Sequence, residues 1–331
     1  AVSRDRLDHA LARAARDAGA SFHPGARVDN LLRAPDGRVT GVSGRDVHGR
    51  PFRLLSRLVI GADGLRSITA RRLGLAGRPA RLRKLSLTAH LIGVRDLDTL
   101  GEMHLGDGAV AGVAPVSDDP AGDDPVANVT LVVDAARFGR LVAADPAAFF
   151  RDRLRAFPRL AGRFDDALPA PTTADPRARH PGDLPAPAWP GDLLASGPFD
   201  RPGAGVIADG AALVGDAAGY FDPLTGQGIH HALLAASILA EEADAALRSG
   251  RTDARALARY ARRHARAVRG TRVLQHFIEA IVARPRLADR AIPPLARAPR
   301  AATLLLATTG DLRPAHSLLS PTAIAEYLFA L

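Results

Sequence analysis

The segment from Leu213 to Ala232, LVGDAAGYFDPLTGQGIHHA, constrains the fold of this chain more than any other. Its apolar run ends at Gly215 and Asp216, so a buried strand is expected to turn sharply. That turn presents a carboxylate at the carboxyl end of the strand, where ligands bind in open α/β sheets. Gly226 and Gly228 leave the start of an apolar helix without side chains, and its unpaired N–H groups and dipole suit a partly anionic group. The segment therefore predicts a ligand site on a strand–turn–helix unit.

A second segment, Leu58 to Gly64 (LVIGADG), is another short apolar run that ends in Gly, Ala, Asp and Gly. With these two segments the chain resembles the FAD-dependent oxidoreductases of the para-hydroxybenzoate hydroxylase and geranylgeranyl reductase type. GADGLRS resembles the Asp-Gly motif of that family, and LVGDAAGYFDPLTGQGI resembles its Gly-Asp motif. The stretch between Asp63 and Asp216 leaves room for the substrate sheet that the family inserts between the motifs.

The family begins with a βαβ unit that carries GxGxxG and holds the ADP half of FAD. No GxGxxG occurs in this sequence, which opens with Ser3 as an N-cap and an amphipathic helix that stops at Gly19. The resemblance thus implies an α/β (α+β) fold: an FAD/NAD(P)-binding Rossmann-like domain lacking its first βαβ unit, an inserted antiparallel β-sheet substrate domain, and C-terminal helices. The chain looks like a protein whose first segment is missing.

Turn signals, apolar runs and proline content divide the chain into four regions. Three apolar stretches separated by turn residues predict a β-meander before the GADG strand, and later β-prone runs predict the inserted antiparallel sheet. The expected regions are 1–80, a partial FAD-binding domain; 81–200, the substrate-binding sheet with a proline-rich crossover; 201–250, the Gly-Asp motif and a long helix; and 251–331, a C-terminal helical region. A turn at Ala208-Asp209-Gly210 predicts a hairpin before the Gly-Asp strand. In the last region Thr252 is expected to cap one helix, and a further helix around Val273 is expected to end before Pro285.

Composition excludes several classes of protein. With 331 residues, of which 47% are hydrophobic, the chain can bury a large core. No apolar run approaches the roughly 20 residues of a membrane span, and the N-terminus lacks the features of a signal peptide. The chain contains no cysteine, which excludes disulfides and thiol catalysis and favours a cytoplasmic location.

A formal net charge of +9 raises the question of an anionic partner. Lys84 is the only lysine, so the positive charge is almost entirely arginine, spread among acidic residues with few aromatic residues between. This pattern favours a solvated surface over a nucleic-acid interface. Binding to lipid or to a membrane surface remains a third hypothesis, after a flavoenzyme and a non-catalytic remnant.

By resemblance, the Gly-Asp motif supplies most of the cofactor contacts. Asp216 would accept hydrogen bonds from the ribityl hydroxyls of FAD, and the alternative is a carboxylate that only caps a turn. The loop that follows would pass close to the isoalloxazine ring, and the alternative is a plain turn and helix start. The residues concerned are Gly215, Asp216, Pro223, Thr225, Gly226, Gln227, Gly228 and Ile229.

Three further contacts are implied outside that motif. Asp63 and Gly64 would lie near the pyrophosphate and ribose of FAD, unless they form only a strand-end turn. Arg4 resembles a flavin-contacting arginine, although an accidental match is easy in a chain so rich in arginine. Ala70 stands where the family often has an arginine, which puts contact with a pyridine nucleotide in doubt.

No catalytic residue and no metal site can be assigned. His230 and His231 lie in the first turn of a buried helix, which favours packing or hydrogen bonding over catalysis. The acidic stretch from Ser117 to Pro125 reads as a solvated hairpin loop. Trp189 has no second tryptophan at the spacing of flavin-dependent halogenases, so halogenation is not supported.

The resemblance implies an FAD-dependent oxidoreductase, either a hydroxylase (monooxygenase) or a geranylgeranyl reductase-like enzyme. Its substrate would be a small or lipophilic organic molecule, with NAD(P)H or another electron donor. Hydroxylases typically have histidine where this chain has Gly219, which favours the reductase branch. The alternative is an N-terminally truncated, non-catalytic remnant of such a flavoprotein. The sequence does not fix the oligomeric state.

Overall fold

The computed structural model describes residues 2–78, 84–106, 108–116, 125–170 and 193–330. The predicted loop at Ser117–Pro125 lies almost entirely outside the described residues, as does much of the proline-rich crossover with Trp189. Helices and sheets are mixed, as predicted. The chain divides into two compact units. Unit 1 consists of Ala1–Arg27, Asp46–His48 and Arg83–Pro198, and unit 2 of Val28–Arg45, Gly49–Leu82 and Phe199–Leu331.

The strands are β1 (Arg27–Arg33), β2 (Val39–Arg45), β3 (Pro51–Leu55), β4 (Val59–Gly61), β5 (Lys84–Ile92), β6 (Glu102–Gly106), β7 (Ala109–Val116), β8 (Val126–Asp134), β9 (Leu168–Pro169), β10 (Leu193–Ser196), β11 (Ile207–Ala208) and β12 (Ala211–Leu213). The α-helices are α1 (Arg4–Asp17), α2 (Ile68–Leu73), α3 (Ala135–Ala144), α4 (Pro146–Arg155), α5 (Gly228–Arg248), α6 (Ala258–Val282), α7 (Pro285–Ala291), α8 (Pro299–Thr309) and α9 (Pro321–Ala330).

Unit 1 is built on an antiparallel sheet with the order β10-β5-β8-β7-β6, and β9 pairs with the other end of β5. Side chains alternate along the strands, so one face of the sheet is buried beneath α4. Leu87 and Leu131, which are paired across β5 and β8, are fully buried on that face with Phe157. The predicted antiparallel sheet is confirmed.

The first helix also belongs to unit 1, whereas the sequence placed residues 1–80 in one region. Ser3 occupies the N-cap position of α1 as expected, and the helix ends at Asp17. None of the residues of α1 is buried, and Leu11 on its apolar face is exposed.

Unit 2 contains the predicted meander, β1-β2-β3, and a second small sheet with the order β11-β12-β4. In the second sheet β4 and β12 run parallel, with Gly61 opposite Leu213, and β11 forms a hairpin with β12. The apolar side of this sheet packs on α5 and α6 through Ile238, Leu239 and Tyr260. This parallel pair carries both sequence motifs.

The C-terminal part of unit 2 differs from the prediction at α6. The sequence indicated one helix beginning near Thr252 and another around Val273, but the structure has a single helix of 25 residues. Gly270 does not interrupt this helix, because no proline lies within it and the flanking residues Val268 and Leu274 are buried. The carbonyl of Thr252 instead accepts a hydrogen bond from Gly210. Of the described helices, none is long and apolar enough to cross a lipid bilayer.

Candidate functional site

Two parallel strands bring the motif segments to one edge of the small sheet. β4 leads into Asp63 and Gly64, and β12 leads into Gly215 and Asp216. The strands stay in register to their ends, where the N–H of Val214 donates to the carbonyl of Gly61 at 3.0 Å. The two segments therefore leave the sheet side by side, at the carboxyl ends where α/β folds bind ligands.

The turn after β12 requires glycine for two separate reasons. Gly215 has φ +56°, and a Cβ there would lie 3.2 Å from the Cβ of Ala232 on α5. Gly219 has φ +129°, and a Cβ there would lie 2.6 Å from the backbone nitrogen of Gly203. Between them the chain makes one 3₁₀ turn, Gly215–Ala218, which contains Asp216. A side chain at either glycine would strain this turn or push it away from α5.

The loop before α5 has its own internal support. The buried carboxylate of Asp222 accepts a hydrogen bond from the N–H of Leu224 at 2.7 Å, and the carbonyl of Pro223 accepts one from Gly226 at 3.0 Å. Gly226 has φ +69°, a conformation that glycine adopts at little cost. The loop delivers the chain into α5 at Gly228, where the first N–H groups have no partner within the helix.

A side chain from α6 joins two residues of that loop. Nε2 of Gln275 donates to Oγ1 of Thr225 at 3.0 Å and to Oε1 of Gln227 at 3.3 Å. Gln227 is buried, yet its own Nε2 has no hydrogen-bond acceptor among the described residues. A buried donor without a partner costs about 1–3 kcal/mol, so this amide is suited to a ligand that offers an acceptor.

A cavity of about 40 Å³ lies where the turn meets the start of α5. That volume is close to the share of liquid that one water molecule occupies, about 30 Å³. A larger ligand would therefore lie against this face of the unit and extend beyond the cavity. The lining residues are Gly215, Asp216, Gly219, Tyr220, Phe221, Gly228, His231, His264, Val268, Arg272 and Gln275.

Two titratable side chains that line this cavity, Tyr220 and His264, are held in their neutral forms. Burial raises the pKa of Tyr220, and the carboxylates of Asp216 and Asp222 raise it further. Burial lowers the pKa of His264 to about 4, and the positive charge of Arg272 adds to the effect.

His231 and His230 both face Asp311, which follows α8. Nε2 of His231 lies 3.1 Å from Oδ2 of Asp311, an ion-pair distance without the alignment of a hydrogen bond, and the other carboxylate oxygen accepts from Thr271 at 3.0 Å. His230 is more distant, at 3.8 Å. Burial lowers the pKa of His231 in spite of the nearby carboxylate. Both histidines thus lie beside one carboxylate, and their packing or hydrogen-bonding role stays a prediction.

Asp63 is engaged within its own turn. One carboxylate oxygen accepts from Oγ of Ser67 at 2.6 Å, and the other accepts from the N–H and Oγ1 of Thr69 at 2.9 and 3.1 Å. Burial alone would raise the pKa of Asp63, but these hydrogen bonds bring it below its ordinary value. Asp63 therefore fixes the start of α2, and Gly64 turns the chain with φ +72°.

The remaining predicted residues lie at the start of α5 and on α1. Ile229 lies in the first turn of α5 and is partly exposed. Arg4 lies on α1 in unit 1, where it forms an exposed ion pair with Asp8 at 2.9 Å, and the other predicted contacts belong to unit 2.

Comparison with known proteins bears on the class of ligand. Residues 1–104 match the protein family described as FAD binding domain. The chain is 31% identical over 279 residues to digeranylgeranylglycerophospholipid reductase of Methanothrix thermoacetophila, which covers 83% of this chain and 62% of that protein. The chain belongs to the superfamily of FAD-dependent oxidoreductases and monooxygenases.

A second reductase and a solved structure are also similar to this chain. Digeranylgeranylglycerophospholipid reductase 1 of Methanothermobacter thermautotrophicus is 29% identical over 264 residues, which are 79% of this chain and 58% of that protein. The chain thus spans about three fifths of the length of the two reductases. The structure of the myxobacterial chondrochloren halogenase CndH is similar in fold, with a TM-score of 0.70, 20% identity, and coverage of 99% of this chain and 73% of that chain.

Sequence reasoning missed the contribution of α6 to this candidate site. Gln275 lies 50 positions from Thr225, and Thr271 lies 40 positions from Asp311. Both belong to the buried stripe of an amphipathic helix, where a polar residue at an apolar position was the available signal. Nothing in the local sequence identifies the partner of either side chain.

Proposed function

We propose that this chain binds FAD at the Gly-Asp turn and the start of α5, and acts as an FAD-dependent oxidoreductase on a lipophilic organic substrate. The observation that carries the proposal is that Asp216 and Gly228 line one cavity, beside the buried Gln227 amide that has no acceptor among the described residues. A carboxylate, a helix N-terminus and an unused amide donor form a set that matches a ligand with both hydroxyl and carbonyl groups.

Each of these groups has a defined task in the proposal. Asp216 accepts hydrogen bonds from the ribityl hydroxyls, and the amide of Gln227 donates to a carbonyl of the ring system. The N-terminus of α5 stabilises negative charge on the reduced cofactor. When bound, FAD supplies the electron-transfer chemistry. Gly64 near the pyrophosphate, with Asp63 shaping its turn, completes the set proposed for unit 2, and the flavin contact of Arg4 stays a prediction of the sequence.

The names of the similar proteins inform the choice of substrate. Two of them are reductases of an unsaturated glycerophospholipid, which favours double-bond reduction over hydroxylation for this chain. Gly219, where hydroxylases typically have histidine, agrees with that branch. NAD(P)H or another donor would supply the electrons, and the absence of cysteine from the sequence favours a cytoplasmic location.

A second candidate is a chain that cannot hold FAD without a further segment. The outer edge of β4 pairs with no other described strand, and Ile60 on that strand is 49% exposed. An open parallel edge of this kind can accept another strand. A strand–GxGxxG–helix segment added there would supply the groups for the ADP half of FAD.

The visible absorption spectrum of the purified chain, before and after incubation with FAD, tests the proposal. Bound flavin is expected in the wild-type protein, and Asp216→Ala should weaken binding about tenfold or more, the cost of losing hydrogen bonds to a charged group. Asp244→Ala is the control, because Asp244 is an exposed residue of α5 that pairs only locally with Arg248.

Unchanged flavin binding in Asp216→Ala would refute the assigned role of that residue. The second candidate would be established by two results together. The wild-type chain would bind no FAD, and a chain extended at its N-terminus by a GxGxxG segment would bind it. No binding by either protein would refute both.

A further inference from the structure

A groove of about 750 Å³ lies in the C-terminal part of unit 2 and shares no lining residue with the Gly-Asp cavity. It is formed by α8, by α9 and by the 3₁₀ turn Ala315–Leu319 between them. A volume of about 300–1,000 Å³ is typical of sites that bind small organic molecules. The groove is therefore large enough to hold part of a sizeable ligand.

The polar lining of the groove carries positive charge only. Arg300 and Arg313 both line it, His316 lies beside them, and no aspartate or glutamate is among the lining residues. Within the part of the chain that the structure describes, neither guanidinium has a hydrogen bond or an ion pair. Two unpaired guanidinium groups in one concave site favour a phosphate ligand, which each can bind through two parallel hydrogen bonds.

The apolar lining of the groove continues onto an exposed rim. Leu304 and Ala323 line the groove, as does Leu319, which is 72% exposed. Residues seven positions apart share one face of an α-helix, so Leu306 shares a face with Pro299, and Phe329 with Thr322. Both Pro299 and Thr322 line the groove, while Leu306 and Phe329 are 72% and 93% exposed. Large apolar side chains thus lie in the groove and on the helix faces that carry its lining residues.

We propose that this groove binds the phosphate headgroup of an anionic phospholipid at a bilayer surface, with Leu306, Leu319 and Phe329 entering the acyl region. A water-soluble phosphate would satisfy the arginines but leave the three apolar side chains in water. A bilayer satisfies both, because cations attract its anionic surface and apolar side chains enter its interior. The inference is independent of flavin binding.

Co-sedimentation of the full chain with lipid vesicles tests this proposal. The chain is expected to bind vesicles of phosphatidylglycerol mixed with phosphatidylcholine, and to bind phosphatidylcholine alone much more weakly. The double variant Arg300→Gln/Arg313→Gln should lower binding to the anionic vesicles about tenfold. Phe329→Ser should lower binding as well, and its effect should persist at high salt, because salt screens only the charge contribution.

The double variant Arg262→Gln/Arg266→Gln is the matched control. It removes the same charge from exposed positions of α6 and should leave vesicle binding nearly unchanged. All variants replace exposed residues, and equal melting temperatures would establish that each is folded.

Three results would overturn the proposal. Equal losses in the control and the groove variants would mean that net charge alone attracts the chain. Binding of inorganic phosphate in the groove, without vesicle binding, would identify a site for a soluble anion. Self-association that Phe329→Ser abolishes, again without vesicle binding, would identify a second copy of the chain as the partner.

Discussion

At the scale of single residues, the candidate site depends on side chains that touch no ligand in the proposal. Gln275 connects helix α6 to both Thr225 and Gln227, and so fixes the loop that delivers the chain into α5. His264 lies buried beside the same cavity, packed against the ring of Tyr260. Replacing either residue should change the stability of the protein by a measurable amount.

Replacing Gln275 by methionine keeps its length and removes its hydrogen bonds. The variant should lose about 1–2 kcal/mol of unfolding free energy, because Oε1 of buried Gln227 loses its donor. FAD affinity should fall as well, since the loop is no longer held. Urea unfolding and flavin titration measure the two effects, and Arg269→Met on the same helix is the exposed control. Losses in Gln275→Met no larger than those in the control would contradict the role given to Gln275.

The lowered pKa of His264 predicts a loss of stability in mild acid. The ordinary pKa of histidine is 6.5, and burial lowers that of His264 to about 4. Between these values the unfolded chain binds a proton that the folded chain excludes, so stability present above pH 6.5 is lost as the pH falls toward 4. The loss between about pH 7 and about pH 5 should be about 2 kcal/mol.

Urea unfolding at the two pH values checks this expectation. His264→Phe keeps an aromatic ring against Tyr260 and cannot titrate, so its acid sensitivity should be smaller than that of the wild type. The same pH dependence in His264→Phe and the wild type would contradict the assignment.

At the scale of secondary-structure elements, a partly buried ion pair holds the segment after α4 to the sheet of unit 1. The guanidinium of Arg163 donates to both carboxylate oxygens of Glu102 on β6, at 2.8 and 2.9 Å, and to the carbonyls of Arg95 and Asp96. Hydrogen bonds from Arg163 and, to a smaller degree, with His104 lower the pKa of Glu102 to about 2, against the opposing effect of burial. All three nitrogens of this guanidinium are thereby engaged.

Breaking that pair should destabilise unit 1. Glu102→Gln leaves a buried guanidinium without a counter-charge and should cost about 3 kcal/mol of unfolding free energy. In the wild type the contribution of the pair is complete above about pH 4.5 and is lost as the pH falls toward 2. Thermal unfolding of the wild type and Glu102→Gln at neutral and acid pH measures both the cost of the substitution and the pH dependence of the pair. Asp166→Asn breaks an exposed pair with Arg95 and should cost much less, because solvent screens that pair, and an equal cost in both variants would contradict the prediction.

The sequence predicted those elements whose signal is local. The β11–β12 hairpin, the strand before Gly215 and the helix that begins after Gln227 all follow from turn residues and apolar runs. The local sequence does not predict that α6 continues through Gly270. Tertiary packing of the helix outweighs the low helix propensity of one glycine. Contacts such as that from Gln275 to Thr225 join positions far apart in the chain, and only the folded structure reveals them.

At the scale of the whole molecule, the two compact units carry different parts of the prediction. The residues of both motifs, Asp63 and Gly64 in one and Gly215 to Ile229 in the other, belong to unit 2. Arg4 belongs to unit 1, and its role stays a prediction. The sequence pattern favoured a solvated surface for the excess of arginine. Two of these arginines lie in the C-terminal groove, and their guanidinium groups have no partner among the described residues. Unit 2 thus holds both a candidate cofactor site and a candidate lipid site on separate sets of residues.

Backbone hydrogen exchange, measured with and without FAD, tests the location of the cofactor most directly. Bound FAD should slow exchange at the turn Gly215–Ala218 and at the first N–H groups of α5, with little change at the groove of α8 and α9. Saturating FAD that protects neither the turn nor the start of α5 would contradict the assignment of this site.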